Sequence, residues 1–204
     1  MKRILYLQTQ MKHLFFILFL ALFIASCSGS EDFAPKPRGY FRLEFPKKEY
    51  RVFDANKYYS FEYPVYAKMY LDSADGDHPN WFNLTYPQYN ARLHISYYTI
   101  SSLNDLNNLV EDSRKLAFKH TVKATGINEG VITNKDHNMY GIYYTIDGNT
   151  ASSNQFFLTD SNKNFLRGAL YFNEKPQADS ILPVVNFIKT DMDRLIKTLK
   201  WKVK

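Results

Sequence analysis

Three aromatic-rich runs, Met139 to Ile146, Gln155 to Thr159 and Phe165 to Phe172, most narrow the folds open to this chain. Their β-branched and aromatic residues suit a pleated, half-buried surface better than a helix. The connectors, Asp147-Gly148-Asn149 and Asp160-Ser161-Asn162-Lys163-Asn164, consist of residues that turn the chain. Glycine reaches positive φ, and Asn and Asp side chains bond their own backbone. Connections this short join neighbouring antiparallel strands, because parallel strands need a long crossover. The segment therefore predicts an antiparallel meander.

The rest of the chain extends that sheet. Tyr40 to Phe45 and Arg92 to Tyr97 alternate with period two, and Tyr59 to Tyr63, Ala67 to Leu71, Trp81 to Tyr86 and Gly126 to Thr133 also read as strands. Prolines at 46, 64, 79 and 87 keep several of these runs short or at edges. Two segments break the pattern. Leu103, Leu106, Leu109, Val110, Leu116 and Ala117 recur at helical spacing, which predicts a helix from Leu103 to His120 capped by Ser102. Ile181, Val184, Val185, Ile188, Met192, Leu195 and Leu199 form a second stripe, over Ser180 to Leu199, with Pro183 in its first turn. Strands, helix, strands and helix give an α+β domain over residues 40–204: an antiparallel sheet with two main helices packed on it. The element order resembles the Mog1/PsbP type of sandwich, a likeness of fold that implies no activity.

The N-terminus follows different rules. Residues 1–26 carry Lys2, Arg3 and Lys12 with no acidic residue, followed by the apolar run Leu14 to Ala25. That run is too short to cross a bilayer, which takes ~20 apolar residues, and matches a signal peptide. It ends in Ile24-Ala25-Ser26-Cys27, which resembles the lipobox of bacterial lipoproteins; the competing reading is a secretory signal beside a chance cysteine. Cys27 is the only cysteine, so a processed chain would have a lipid-modified first residue, no disulfide and no cofactor beyond that covalent lipid. Residues 27–39, rich in Ser, Gly, Pro and charge, read as a tether. Met11 offers an alternative start. The formal charge of +6 falls to about +3 without the three signal-peptide cations. A nucleic-acid footprint needs a concentrated basic face, and none is evident.

Motifs that carry chemistry are sparse. His78, His94, His120 and His137 form no HxH or HExxH pair, and no GxSxG or SxxK motif is present. Asp72, Asp75 and Asp77 crowd before His78, and Asp160 to Asn164 imitates the start of a calcium loop. Neither has the glycine and glutamate such a loop requires, so both read as turns and no metal site is assigned. Glu111/Asp112 and Asp191/Asp193 read as solvated helix faces. Aromatics are 17% of the chain, and most fit strands, though outward tyrosines could bind a sugar or a protein. The basic stretch Lys36 to Arg51 reads either as a charge-guarded edge strand or as a contact for anionic headgroups.

Taken as whole strings, several segments resemble one family. They are Pro35-Lys36-Pro37-Arg38-Gly39-Tyr40-Phe41-Arg42, Trp81-Phe82-Asn83-Leu84-Thr85-Tyr86-Pro87 with Asn90-Ala91, Ser113-Arg114 with His120, Tyr140-Gly141 through Asp147-Gly148-Asn149, Gln155 to Ser161, and Phe165 to Phe172. In order and spacing they are similar to the gliding-motility lipoprotein GldD family of Bacteroidetes. The resemblance implies an envelope lipoprotein needed for gliding and linked to type IX secretion. Its implied partners are the membrane, through the lipid, and other proteins of that machinery; no nucleic acid is expected, and the sequence identifies no small-molecule substrate. It supplies no catalytic residues. Candidate interaction residues are Arg38, Gly39, Trp81, Asn83, Arg114 and Arg167, with Cys27 as the lipid attachment point. Three readings stay open: a non-enzymatic assembly lipoprotein, a lipid-anchored glycan- or protein-binding module, and a hydrolase using Asp72, Asp75, Asp77 and His78. Ser28 after the cysteine favours the outer membrane, periplasmic face; the inner membrane and the cell surface remain alternatives.

Overall fold

The computed structural model describes residues 43–71, 80–173 and 178–202, all within the compact unit Arg42–Lys204. Cys27, Arg38, Gly39, the Asp72/Asp75/Asp77/His78 group and the predicted strand residues Tyr40 to Arg42 lie outside the described residues.

The chain is mixed α+β. In order come β1 (Tyr50–Phe53), β2 (Tyr59–Pro64), β3 (Lys68–Leu71), β4 (Phe82–Tyr86), β5 (Ala91–Thr99), α1 (Leu103–Phe118), β6 (Ala124–Asn134), β7 (Met139–Gly148), β8 (Ser152–Thr159), β9 (Asn164–Phe172), α2 (Ala178–Thr198) and β10 (Lys200–Trp201). Seven strands form one antiparallel sheet in the order β3-β4-β5-β9-β8-β7-β6, and β1-β2-β10 form a small second sheet. The predicted meander is β7-β8-β9. The turn at Asp147-Gly148-Asn149 works because Gly148 sits at φ +100°, where a Cβ would come within 2.8 Å of the Lys123 carbonyl.

Strand alternation sends side chains to two faces, and each face meets a different partner. One face carries Phe82, Leu84, Leu93, Ile95, Phe156, Leu158, Leu166 and Leu170. These pack with Tyr59 and Phe61 of β2 and with Val184, Ile188, Met192 and Leu195 of α2. The rings of Phe61 and Phe82 stack there at 5.6 Å. Each such side chain, buried fully, stabilises the fold by ~1.5–3 kcal/mol. The other face supplies Tyr144, Ile146, Phe157 and Phe165 to a smaller core under Ala117, Leu109 and Val110 of α1. The result is three layers: α1, the large sheet, then α2 with the small sheet.

The structure departs from the sequence reading in four places. Leu43 to Phe45 form no strand, because Phe45 docks as a single ring on Phe187 (4.5 Å) and Tyr89 instead of pairing its backbone. The strand in this region is β1, half-buried at its two ends and exposed between them, so that it carries no period-two signal. Pro183 lies inside α2, not in its first turn, because the helix begins at Ala178. Leu103 and Leu116 of the predicted stripe are exposed, so α1 buries a narrower seam. Ser102 does cap α1, its hydroxyl accepting from the Asp105 N–H at 3.1 Å.

Candidate functional site

Three polar arrangements stand out on this frame. The first joins the segment leading into β1 to α2. Asp191, predicted as a solvated helix carboxylate, is instead 2% exposed. Its Oδ1 accepts from Lys48 Nζ at 2.7 Å and from Tyr50 Oη at 2.9 Å, and Tyr66 Oη donates to Oδ2 at 2.8 Å. Lys48 also donates to the Phe187 carbonyl at 2.8 Å and lies 3.3 Å from the centre of the Phe187 ring. Burial lowers the Lys48 pKa and outweighs the pull of Asp191 in the other direction. The Tyr50 and Tyr66 hydroxyls are pushed well up, first by burial and then by the carboxylate beside them. Lys48 is therefore committed to the fold and is not available to headgroups, contrary to one reading of the basic stretch. Lys47 is exposed, 3.7 Å from Glu49. Asp193 faces solvent as predicted, with Lys189 at 3.2 Å.

The second arrangement is the Asp160 loop. Asp160 Oδ1 accepts the backbone N–H groups of Asn162, Lys163 and Asn164 at 2.9–3.0 Å, and Oδ2 accepts Asn164 Nδ2 at 2.6 Å. Burial works to raise the Asp160 pKa, but these N–H bonds prevail and hold it below the usual carboxylate value. The carboxylate is occupied as a turn anchor, which agrees with the sequence reading. Among the described residues no cluster of three or more metal-ligating side chains occurs.

The third is the half of the large sheet that α1 leaves uncovered. Asn83 of β4 stands opposite His94 of β5, with Asn83 Oδ1 3.0 Å from His94 Nδ1. Trp81 Nε1 donates to the Tyr97 carbonyl at 3.0 Å, and its ring meets His94 and Tyr98 edge-on at 5.9 and 5.3 Å. Arg167 of β9 is opposite Ser96, and its Nη2 donates to Gln155 Oε1 at 2.7 Å. Thus Trp81, Asn83 and Arg167, three of the sequence candidates, share one sheet face. Arg114 lies apart on α1, exposed, its guanidinium 4.6 Å from the Phe118 ring centre. His120 follows α1 in a single 3-10 turn; its pKa is lowered by burial first and by Arg167 second. Sequence reasoning missed Gln155 and Tyr98. A glutamine inside an otherwise aromatic and apolar strand, Gln155-Phe156-Phe157-Leu158, was the available signal.

A family model described as gliding motility lipoprotein GldD matches residues 30–201. The chain belongs to that family. It is accordingly a gliding motility lipoprotein, lipid-anchored in the cell envelope. No curated protein matches the chain significantly. Among solved structures it is similar to cyanobacterial PsbP (CyanoP) from Synechocystis sp. PCC 6803, solved in solution. The match has 12% identity and a TM-score of 0.47, covering 79% of this chain and 97% of that one.

Proposed function

We propose that the chain is a non-enzymatic assembly subunit of the gliding apparatus, linked to type IX secretion and docking a partner by strand addition. Lipid on Cys27 and the tether over residues 28–39 hold the domain near the membrane. Ser28 in place of an aspartate supports the outer membrane, with the domain on its periplasmic side.

The observation that carries this reading is the contrast between the two edges of the large sheet. One edge, β3, has only four residues and begins with Lys68. The other, β6, has eleven residues, and among the described residues it pairs only with β7. At ~3.3 Å per residue that edge is ~36 Å long. Natural edges of this length are usually guarded by lysine, proline or bulges. Here the only charge is Glu129, the only bulge lies at the start by Ala124/Gly126, and Val131 is 85% exposed. A groove of about 520 Å³ runs beside it, lined by Val131, Thr133, Met139, Tyr143, Ile196 and Lys197 among others. An added strand would gain backbone hydrogen bonds from the edge and side-chain contacts from the groove.

Complementation of a gene deletion tests the proposal. The deletion should abolish spreading on agar and reduce protein export to the medium, and the unaltered gene should restore both. Cys27→Ala should fail to restore them. A Val131→Lys/Thr133→Lys variant, folded and present at normal levels, should also fail. Normal spreading of the deletion strain would refute the gliding role, and full rescue by the lysine variant would refute the docking edge.

A further inference from the structure

The groove between α1 and the uncovered half of the sheet carries more cation than the fold uses. It is about 380 Å³, within the size range of small-molecule sites. Its walls are Leu109 and Leu116 from the helix and Tyr98 and Phe165 from the sheet. Arg167, Lys115 and Lys119 line it against a single carboxylate, Asp112. Asp112 lies 3.8 Å from Lys115, both of them well exposed, so that pair is weak.

Arg167 is the centre of the site. It is half-buried, and among the described residues it forms no ion pair; its one hydrogen bond goes to the neutral oxygen of Gln155. A guanidinium has five N–H donors in a fixed fork that suits a carboxylate or phosphate. Gln155 is 1% exposed, and its Nε2 has no partner among the described residues. Turning the amide over would set its NH₂ against the Arg167 donors, so the observed orientation is fixed by Arg167 and leaves a second buried donor unanswered. Next to it in the register is Tyr144, whose buried hydroxyl is also without a partner. Gln155 thus keeps an unanswered N–H and Tyr144 an unanswered O–H; neither lines the groove, where Arg167 is the half-buried donor with N–H groups to spare. The positive field of Arg167 is already felt at His120, whose pKa burial and that charge lower together.

We propose that this groove binds a small sugar bearing one carboxylate or phosphate, the anion on Arg167 and the sugar ring against Tyr98. The acidic group supplies the missing counter-charge. The mostly apolar walls can pack the C–H faces of a sugar ring, and Tyr98 presents a flat apolar ring that ends in a polar hydroxyl. This site is distinct from the β6 edge, and its existence does not depend on the docking role.

Calorimetric titration of the full-length chain in a non-ionic detergent tests it, with glucuronate, glucose 1-phosphate, glucose, inorganic phosphate and N-acetylglutamate as probes. Glucuronate or glucose 1-phosphate should bind with one-to-one stoichiometry, at least tenfold tighter than glucose. Arg167→Gln should weaken that binding at least tenfold, while Lys47→Gln, an exposed cation away from the groove, should leave it unchanged. Lys115→Gln/Lys119→Gln changes only exposed helix positions and should weaken binding several-fold; it keeps the question open to test if Arg167→Gln fails to fold. Absence of binding at millimolar concentrations of both anionic sugars would overturn the proposal. So would equal binding by the groove variants. Phosphate or N-acetylglutamate binding as tightly as the sugars would overturn the assignment of a sugar.

Discussion

Replacing Asp191 with alanine removes one acceptor from three donors at once. Lys48 would keep its charge with its side chain 27% exposed, and the Tyr50 and Tyr66 hydroxyls would lose their shared carboxylate. Breaking a buried ion pair from one side costs ~3–5 kcal/mol, most of it from the stranded charge. Lys48 is near enough to solvent to turn its ammonium outward, which places the loss near the lower end, at ~3 kcal/mol. In urea unfolding followed by circular dichroism, a slope of ~2 kcal/mol/M converts this into a midpoint ~1.5 M lower. The charge-free double variant Lys48→Met/Asp191→Leu should recover most of the loss, since apolar replacement of a buried pair is often neutral or better. A loss below ~1 kcal/mol in the single variant would refute the reasoning, because an acceptor serving one cation and two hydroxyls cannot be dispensable. So would a double variant no more stable than the single one.

Other positions give sharper contrasts. Gly141→Ala would set a Cβ 1.9 Å from the Phe157 carbonyl oxygen inside the β7–β8 ladder, and should cost ~3 kcal/mol in the same unfolding assay. Gly130→Ala on the edge strand meets nothing nearer than the Tyr143 carbonyl at 3.8 Å and should be neutral or slightly stabilising. Asp160→Ala should cost roughly 2–3 kcal/mol at neutral pH by removing a charged acceptor from three backbone N–H groups. Because the folded Asp160 pKa is depressed, its contribution is complete above the unfolded value of ~3.9 and is lost as pH falls through the lower folded one. The stability gap between the native chain and Asp160→Ala should therefore close on acidification, and a gap independent of pH would count against the turn-anchor role. Ser102→Ala should cost ~1 kcal/mol through loss of the α1 cap, measured by the thermal midpoint.

What could be read from the sequence follows from the range of each interaction. The meander, both helices and the Asp160 turn rest on residues within a few positions of one another, and alternation or turn chemistry exposes them. The Asp191 cluster rests on partners up to 143 positions apart, so nothing near Asp191 distinguishes it from Asp193, which is solvated. Strand β1 escaped notice because Tyr50-Arg51-Val52-Phe53 presents its inward residues at the two ends with exposed positions between. At the sheet face, Trp81, Asn83 and Arg167 could be singled out as residues, but their convergence needs the register that sets β4, β5 and β9 side by side.

That convergence has a geometric cause. Seven strands at ~4.8 Å spacing make a sheet ~29 Å wide, whereas one helix with its side chains spans ~10–12 Å. On the inner face α2 and the three-stranded sheet together cover that width, and the strands there are apolar from Phe82 to Met139. Among the described residues α1 is the one helix on the outer face, and its apolar seam packs on β7, β8 and β9. Beyond the reach of α1 the β4–β5 side is polar: it carries Asn83 and Ser96, both buried, the half-buried His94 and, at the margin of the helix, Arg167. A groove lined by cations at that margin is then a consequence of one helix covering a sheet too wide for it. The proposed anion site occupies the boundary where the packed core ends, which is where a ligand can reach the half-buried Arg167 without opening the fold.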